Sequence, residues 1–221
     1  MPLKINNYNE MKNQVFIFIV FVFLSIVANA QRTYFETDIS KEIFKNFEIS
    51  LSPQVRFKEG FELKEYFFDA GVQYKFNKYF SLGTSYRLGT NITKTDDKEY
   101  FGRFAIDAGT GIKWKNFEPK FRLRYTNLND DFASNESENL NYLRYKFEIE
   151  YRIKKLNLNP YIYTELFQNL SESNLDGTRY EGGLFYKINK HHKIGAYYRL
   201  NYKSGNNEHL NVFGLTYKLK L

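Results

Sequence analysis

Three histidines and no cysteine set narrow limits on the chemistry open to this 221-residue chain. Without a thiol there is no disulfide framework, no thiolate metal site and no cysteine nucleophile. His191 and His192 are adjacent, between Asn189-Lys190 and Lys193, in a stretch that reads as a short turn. His209 stands apart, and Asp96, Asp97, Asp130, Asp131 and Ser204 belong to segments that could approach it. Such a set would suit general-base hydrolysis, which requires its groups within hydrogen-bond reach of one another. Linear order does not bring them together, and a solvated loop histidine accounts for the same residues. Asp130-Asp131 could hold Ca²⁺, but it lacks the ligand spacing of a calcium loop, so acidic loop hydration is the simpler reading. Phosphate-binding P-loops, dinucleotide fingerprints and HExxH are absent. No catalytic residue, metal site or cofactor is expected.

A second set of ionisable residues is larger and more regular. It comprises Arg56, Asp69, Arg87, Arg103, Asp107, Arg122, Arg124, Arg144, Glu148, Glu150, Glu165, Arg179, Glu181 and Arg199. Within a segment these residues are two or four positions apart, as in Arg122/Arg124, Arg144/Glu148/Glu150 and Arg179/Glu181. In a β-strand that spacing puts them on one face, because successive side chains point to opposite sides. What they can do depends on what the strands enclose.

The opposite face is apolar. From 47 to 57 the odd positions are Phe47, Ile49, Leu51, Pro53, Val55 and Phe57, and the even ones are Glu48, Ser50, Ser52, Gln54 and Arg56. The same alternation recurs at 66–76, 80–88, 100–114, 117–125, 143–153, 156–166, 180–188, 194–202 and 213–221, which makes ten strands. A weaker strand at about 32–43 precedes them. None of the ten apolar rows contains a charged residue, in a chain that is 26% charged. No linker, charge block or shift of composition marks a second domain. The chain is also 19% aromatic, which argues against disorder.

Residues 15–28 (VFIFIVFVFLSIVA) form the one continuous apolar run, 14 residues long and too short for a spanning helix, which takes about 20 residues. Lys12 before it and Ala28-Asn29-Ala30 after it complete the pattern of a secretory signal peptide over 1–30, cleaved before Gln31. Met11 is a more natural start than Met1. The mature chain, 31–221, then carries 30 basic and 24 acidic residues, a net charge of +6. Those basic residues alternate with aromatics along strands and form no single exposed patch, so nucleic acid is not an expected partner.

Alternation alone does not say which face is outside, since a soluble lipocalin-like barrel has the same period with its greasy face inward. Three features favour the membrane arrangement. Amphipathic rings sit at both ends of the strands: Tyr66, Tyr86, Tyr100, Tyr125, Tyr180 and Tyr202 at one, Tyr74, Trp114, Tyr151, Tyr186 and Tyr217 at the other. Phe68, Leu82, Phe104, Phe121, Phe147, Ile149 and Leu184 lie between them. Two aromatic girdles around a hydrocarbon band produce this order. Connections also alternate in length, short around Lys45-Asn46, Asn77-Lys78, Lys115-Asn116, Lys154-Lys155 and Asn189-Lys190, longer at 91–99, 127–140, 168–177 and 203–208, with a shorter member near 58–64. Finally, every short turn carries Lys and no acid, whereas 127–140 holds Asp130, Asp131, Glu136 and Glu138.

The expected fold is therefore all-β, an antiparallel transmembrane β-barrel of 10–12 strands with short periplasmic turns and longer external loops, in the outer membrane of a Gram-negative bacterium. Ten strands from 47 onward give the usual even count. An eleventh at 32–43 would start on the other side, and could pair at the seam, lie in the lumen, or accompany a twelfth. Pro119 and Pro160 fall just after turns, where a lost ladder donor is tolerable. Pro53 is mid-strand and predicts a bulge or a break in pairing.

Several segments carry a resemblance to a known family: Ser52-Pro53-Gln54-Val55-Arg56-Phe57, the stretch from Gly71 to Gly83, Ser85-Tyr86-Arg87, Arg103-Phe104 with Asp107, Leu143-Arg144-Tyr145-Lys146, and Asn159-Pro160-Tyr161 with Glu165-Leu166-Phe167. Through them the chain resembles the Bacteroidetes outer-membrane β-barrels catalogued as domain of unknown function 2490. The resemblance implies location and architecture, and no chemistry. It also implies partners: outer-membrane lipids and lipopolysaccharide around the wall, and the outer-membrane assembly machinery through the C-terminal strand. That strand departs from the usual pattern by closing on Leu221 instead of an aromatic residue. The charged row then faces a lumen only slightly wider than one that side chains fill. There it serves as a plug of ion pairs or lines a narrow, mildly anion-selective path. Tyr161, Tyr163, Phe167, Phe185 and Tyr197 fall on the same row, where they stack on an amphipathic ligand or wedge the strands apart. The rival function is an outer-membrane hydrolase with a rim site near His209.

Overall fold

A computed structural model describes residues 30–93, 95–127, 140–205 and 209–221. The signal-peptide reading of 1–30, the acids Asp130, Asp131, Glu136 and Glu138, and most of the 127–140 loop lie outside the described residues.

Among the described residues eleven strands follow in chain order: β1 (Arg32–Phe44), β2 (Phe47–Phe57), β3 (Leu63–Lys75), β4 (Phe80–Ile92), β5 (Lys98–Gly111), β6 (Phe117–Asn127), β7 (Asn141–Tyr151), β8 (Leu158–Asn169), β9 (Asn174–Lys187), β10 (His192–Lys203) and β11 (His209–Lys220). Each pairs antiparallel with the next, and β1 closes the barrel by pairing parallel with β11 from Arg32↔Val212 to Ser40↔Lys220. The even count expected for ten strands gives way to an odd one. Residues 32–44 form a wall strand at the seam, and β1 and β11 both run from the long-loop end to the short-turn end. Two strands of the same direction can only pair parallel.

Short turns hold the lower end. Asn77 Oδ1 accepts from the backbone N–H of Tyr79 and Phe80, and Asn189 Oδ1 from those of His191 and His192. This is the turn in which an Asn side chain substitutes for backbone. Asn46, Lys115 and Asn157 adopt positive φ (69°, 55° and 55°) in the other three tight connections.

Pro53 has the effect its ring predicts. β2 pairs with β1 at Gln54↔Glu36 and again at Leu51↔Ile39, with the ladder interrupted between them. The break is spanned by a side chain, Ser52 Oγ donating to Asp38 Oδ1 at 2.8 Å. On its other side Pro53 stays in register with Phe68 of β3.

The apolar rows face outward and are exposed along most of their length. Phe68, Leu82, Phe104, Phe147, Ile149 and Leu184 lie on the outer face between the two rims. The rows continue past the strand ends: Trp114 forms an isolated bridge with Phe117, in the turn between β5 and β6.

Candidate functional site: the lumen wall

Closure of the barrel carries the second parity of every strand to the inside. In register, Asp69 lies opposite Arg87, Asp107 opposite Arg124, Glu165 opposite Arg179 and Glu181 opposite Arg199. Opposite charges in directly facing cross-strand positions attract, and here they bond. Arg87 Nε and Nη2 donate to Asp69 Oδ2 at 3.1 and 2.9 Å. Arg124 pairs with Asp107 bidentately, at 2.6 and 2.7 Å. Arg199 Nε donates to Glu181 at 2.6 Å, and Arg56 Nη1 to Glu65 at 2.7 Å.

Glu165 on β8 is engaged by three arginines. Its two oxygens accept from Arg144 of β7 at 3.2 and 2.9 Å, from Arg122 of β6 at 2.7 Å and from Arg179 of β9 at 3.4 Å. Glu148 and Glu150 both bind Lys120, at 3.1 and 2.9 Å, and Glu148 also binds Lys146 at 2.7 Å. The pairs named above lie within one strand or join strands that are neighbours or one strand apart. They tile the wall instead of crossing the lumen.

The inward aromatics lie on that wall too. Gly183, Gly195 and Gly214 are register partners of Tyr161, Phe185 and Tyr197. A Cβ on Gly214 would overlap the Tyr197 ring. Each ring thus lies over a neighbouring glycine, the arrangement that shields a strand glycine. The absence of a side chain at Gly214 also lets Tyr197 of β10 reach over β11 to β1, where its hydroxyl donates to Glu36 Oε1 at 2.6 Å. Arg199 approaches the same carboxylate at 3.8 Å, and Lys218 pairs with Asp38 at 3.4 Å. The parallel seam, whose backbone pairing is slightly weaker than antiparallel, is strapped from inside by these contacts.

Two adjoining spaces, with wall residues in common, lie inside the barrel. One, of about 880 Å³, opens at the short-turn end beside Asn77, Lys78 and Tyr79. It shares Lys120, Arg122, Arg124, Lys146 and Glu148 with a second space of about 420 Å³ at mid-lumen. Twelve basic and six acidic side chains line the latter. Toward the long-loop end the inward residues are packed: Tyr34, Glu65, Phe67, Tyr142, Phe167 and Val212 are almost fully buried.

Of the fourteen charged residues singled out from sequence, Arg56, Arg87, Arg103, Arg122, Arg124, Arg144, Glu148, Glu150, Glu165, Arg179, Glu181 and Arg199 line the mid-lumen space. Asp107 lines the lower one, and Asp69 reaches the set through Arg87. That set leaves out Lys120 and Lys146, although they share the parity of Arg122 and Arg144. It also leaves out Glu36 and Asp38 of the weakly alternating β1, and Glu65, which lies one position before its strand's first assigned apolar residue.

The rim rings, Tyr74, Tyr86, Tyr100, Trp114, Tyr125, Tyr151, Tyr180, Tyr186 and Tyr202, are exposed on the outer face, with Tyr66 and Tyr217 half-buried. At the short-turn rim Lys78 lies over Tyr79 and Lys115 over Trp114. His192 Nδ1 meets the Tyr217 hydroxyl at 2.6 Å, and His191 Nδ1 meets the Lys220 carbonyl at 2.6 Å. His209 is exposed at the start of β11 and, among the described residues, makes no side-chain hydrogen bond to Asp96, Asp97 or Ser204.

A closed wall of eleven strands, greasy outside and ion-paired within, defines an all-β barrel. The chain is similar in fold to the NanC porin, at 14% identity and a TM-score of 0.58, over 86% of this chain and 98% of that one. The β domain of the Bordetella autotransporter BrkA is also similar, at 13% identity and a TM-score of 0.44, over 78% and 81% of the two chains. No curated protein matches. Residues 31–211 match the family described as protein of unknown function (DUF2490), and the chain belongs to that family.

Proposed function

We propose that the protein is an integral barrel of the Gram-negative outer membrane, with a narrow lumen that admits small anions from the short-turn end. One observation carries the reading: the ion pairs run along the wall and leave a mid-lumen space with twelve basic side chains against six acidic ones. In a low-dielectric enclosure an excess of one sign concentrates solutes of the other. The exposed outer rows and their rim aromatics suit a hydrocarbon band between two interfaces, where lipid and lipopolysaccharide are the partners. β11 is the segment offered to the assembly machinery. No catalytic step is assigned: His209→Ala leaves stability within about 0.5 kcal/mol and leaves conduction unchanged.

Reconstitution in planar bilayers tests the path. The expected result is small conductance steps whose reversal potential in a KCl gradient favours chloride. A silent bilayer, with the protein folded and inserted, sinks the path and leaves a structural barrel.

A further inference from the structure

Like charges face one another across the ladder at unusual positions. Arg122 is the register partner of Lys146, Arg124 of Arg144, and Lys193 of Lys218. Directly opposed like charges destabilise a sheet, so these pairs work against the fold unless something negative sits between them. Part of the compensation is internal, since Glu165, Asp107, Glu148 and Asp38 each take one or more of these cations. It is incomplete. Arg122 Nε has no hydrogen-bond partner and meets Asp107 only at 3.9 Å, and among the described residues no acid lies within ion-pair distance of Lys193. The acids of the same space are already engaged: Glu36 by Tyr197, Asp38 by Ser52 and Lys218, Glu150 by Lys120 and Asn159.

The two cationic groups, one on β6–β7 and the other on β10–β11, bound one space of about 420 Å³. That volume lies in the range of small-molecule sites and is far larger than one carboxylate requires. A monovalent anion can satisfy one group. Only a solute with separated negative charges can satisfy both.

We propose that the mid-lumen space is a binding site for a multivalent anion, a small solute with two or more carboxylate or phosphate groups, bridging Arg122 and Lys146 to Lys193 and Lys218. Guanidinium offers planar paired donors to either oxyanion, and ammonium a compact point charge. The site deepens the anion-path reading, because it rests on the same lumen being reachable from the short-turn end.

Titration calorimetry on the detergent-solubilised, folded barrel tests it, with citrate, pyrophosphate and acetate at matched ionic strength. Citrate or pyrophosphate should bind at least about tenfold more tightly than acetate, and the better of the two assigns carboxylate or phosphate. Lys193→Gln combined with Lys218→Gln should remove that advantage, while Lys155→Gln in an exposed short turn should preserve it. Heat-modifiable gel mobility checks that each variant is folded. Equal affinity for citrate, pyrophosphate and acetate overturns the site, as does an advantage that survives the double substitution. Binding needs no transport, so the two readings fail separately. Tight citrate binding with silent bilayers ends the path alone, and conduction without valence preference ends the site alone.

Discussion

At the long-loop end of the lumen Tyr34, Glu65, Phe67, Tyr142, Phe167 and Val212 are at most 1% exposed. At the short-turn end the side chains of Lys120, Lys218 and Lys220 keep 34%, 42% and 54% of their surface. The difference follows the choice of cation. In the closed half, guanidinium planes lie over rings: Arg56 over Tyr34 and Phe67, Arg87 over Phe67, Arg144 and Arg179 over Phe167, at 3.9 to 4.9 Å. Arginine is weakly hydrated and stacks, so it can be sealed among aromatics. The open half adds lysines, whose ammonium holds water strongly, and Lys120, Lys218 and Lys220 keep their ion pairs partly exposed. One parity of one sheet thus makes a tight constriction at one end and a vestibule at the other.

The largest effect expected on breaking this contrast comes at Glu165. Replacing it with Ala leaves Arg122, Arg144 and Arg179 without their shared acceptor. Removing one member of a buried charged network costs about 3–5 kcal/mol, readable as a lowered urea midpoint for unfolding from lipid vesicles. An unchanged midpoint would mean that the packed half does not depend on its ion pairs. Phe67→Ala comes next, at about 3 kcal/mol, because the ring supports Arg56 and Arg87. It should also raise single-channel conductance more than any substitution in the open half; if it does not, the closure lies elsewhere. Lys120→Gln should be mildest, at about 1 kcal/mol or less, since partly exposed pairs contribute little. Its mark should instead be a weaker preference for chloride. A cost as large as that of Glu165→Ala would erase the distinction between the two halves.

The ten apolar rows were legible because their outward positions carry no charge while the inner positions do, which leaves a strict period of two. Parity also marks the inner row, including Arg122, Arg124 and Glu165. The role of β1 was harder to read. Lys41 interrupts its outer row, and parallel pairing with β11 leaves no local pattern, since its partners lie about the whole length of the barrel away in sequence. The Tyr197–Glu36 strap is equally non-local, spanning 161 positions and depending on a glycine in the strand between.

By itself the sequence determined the two faces and the likeness of both rims, because alternation is written residue by residue; it missed strand ends by up to six residues, β9 starting at Asn174 where the alternation begins only at Tyr180. The tertiary structure decided the odd strand number and the parallel seam. It also decided which Arg meets which acid and that the pairs lie along the wall. Those outcomes depend on register and closure, in which side chains distant in sequence become neighbours only when the last strand finds the first.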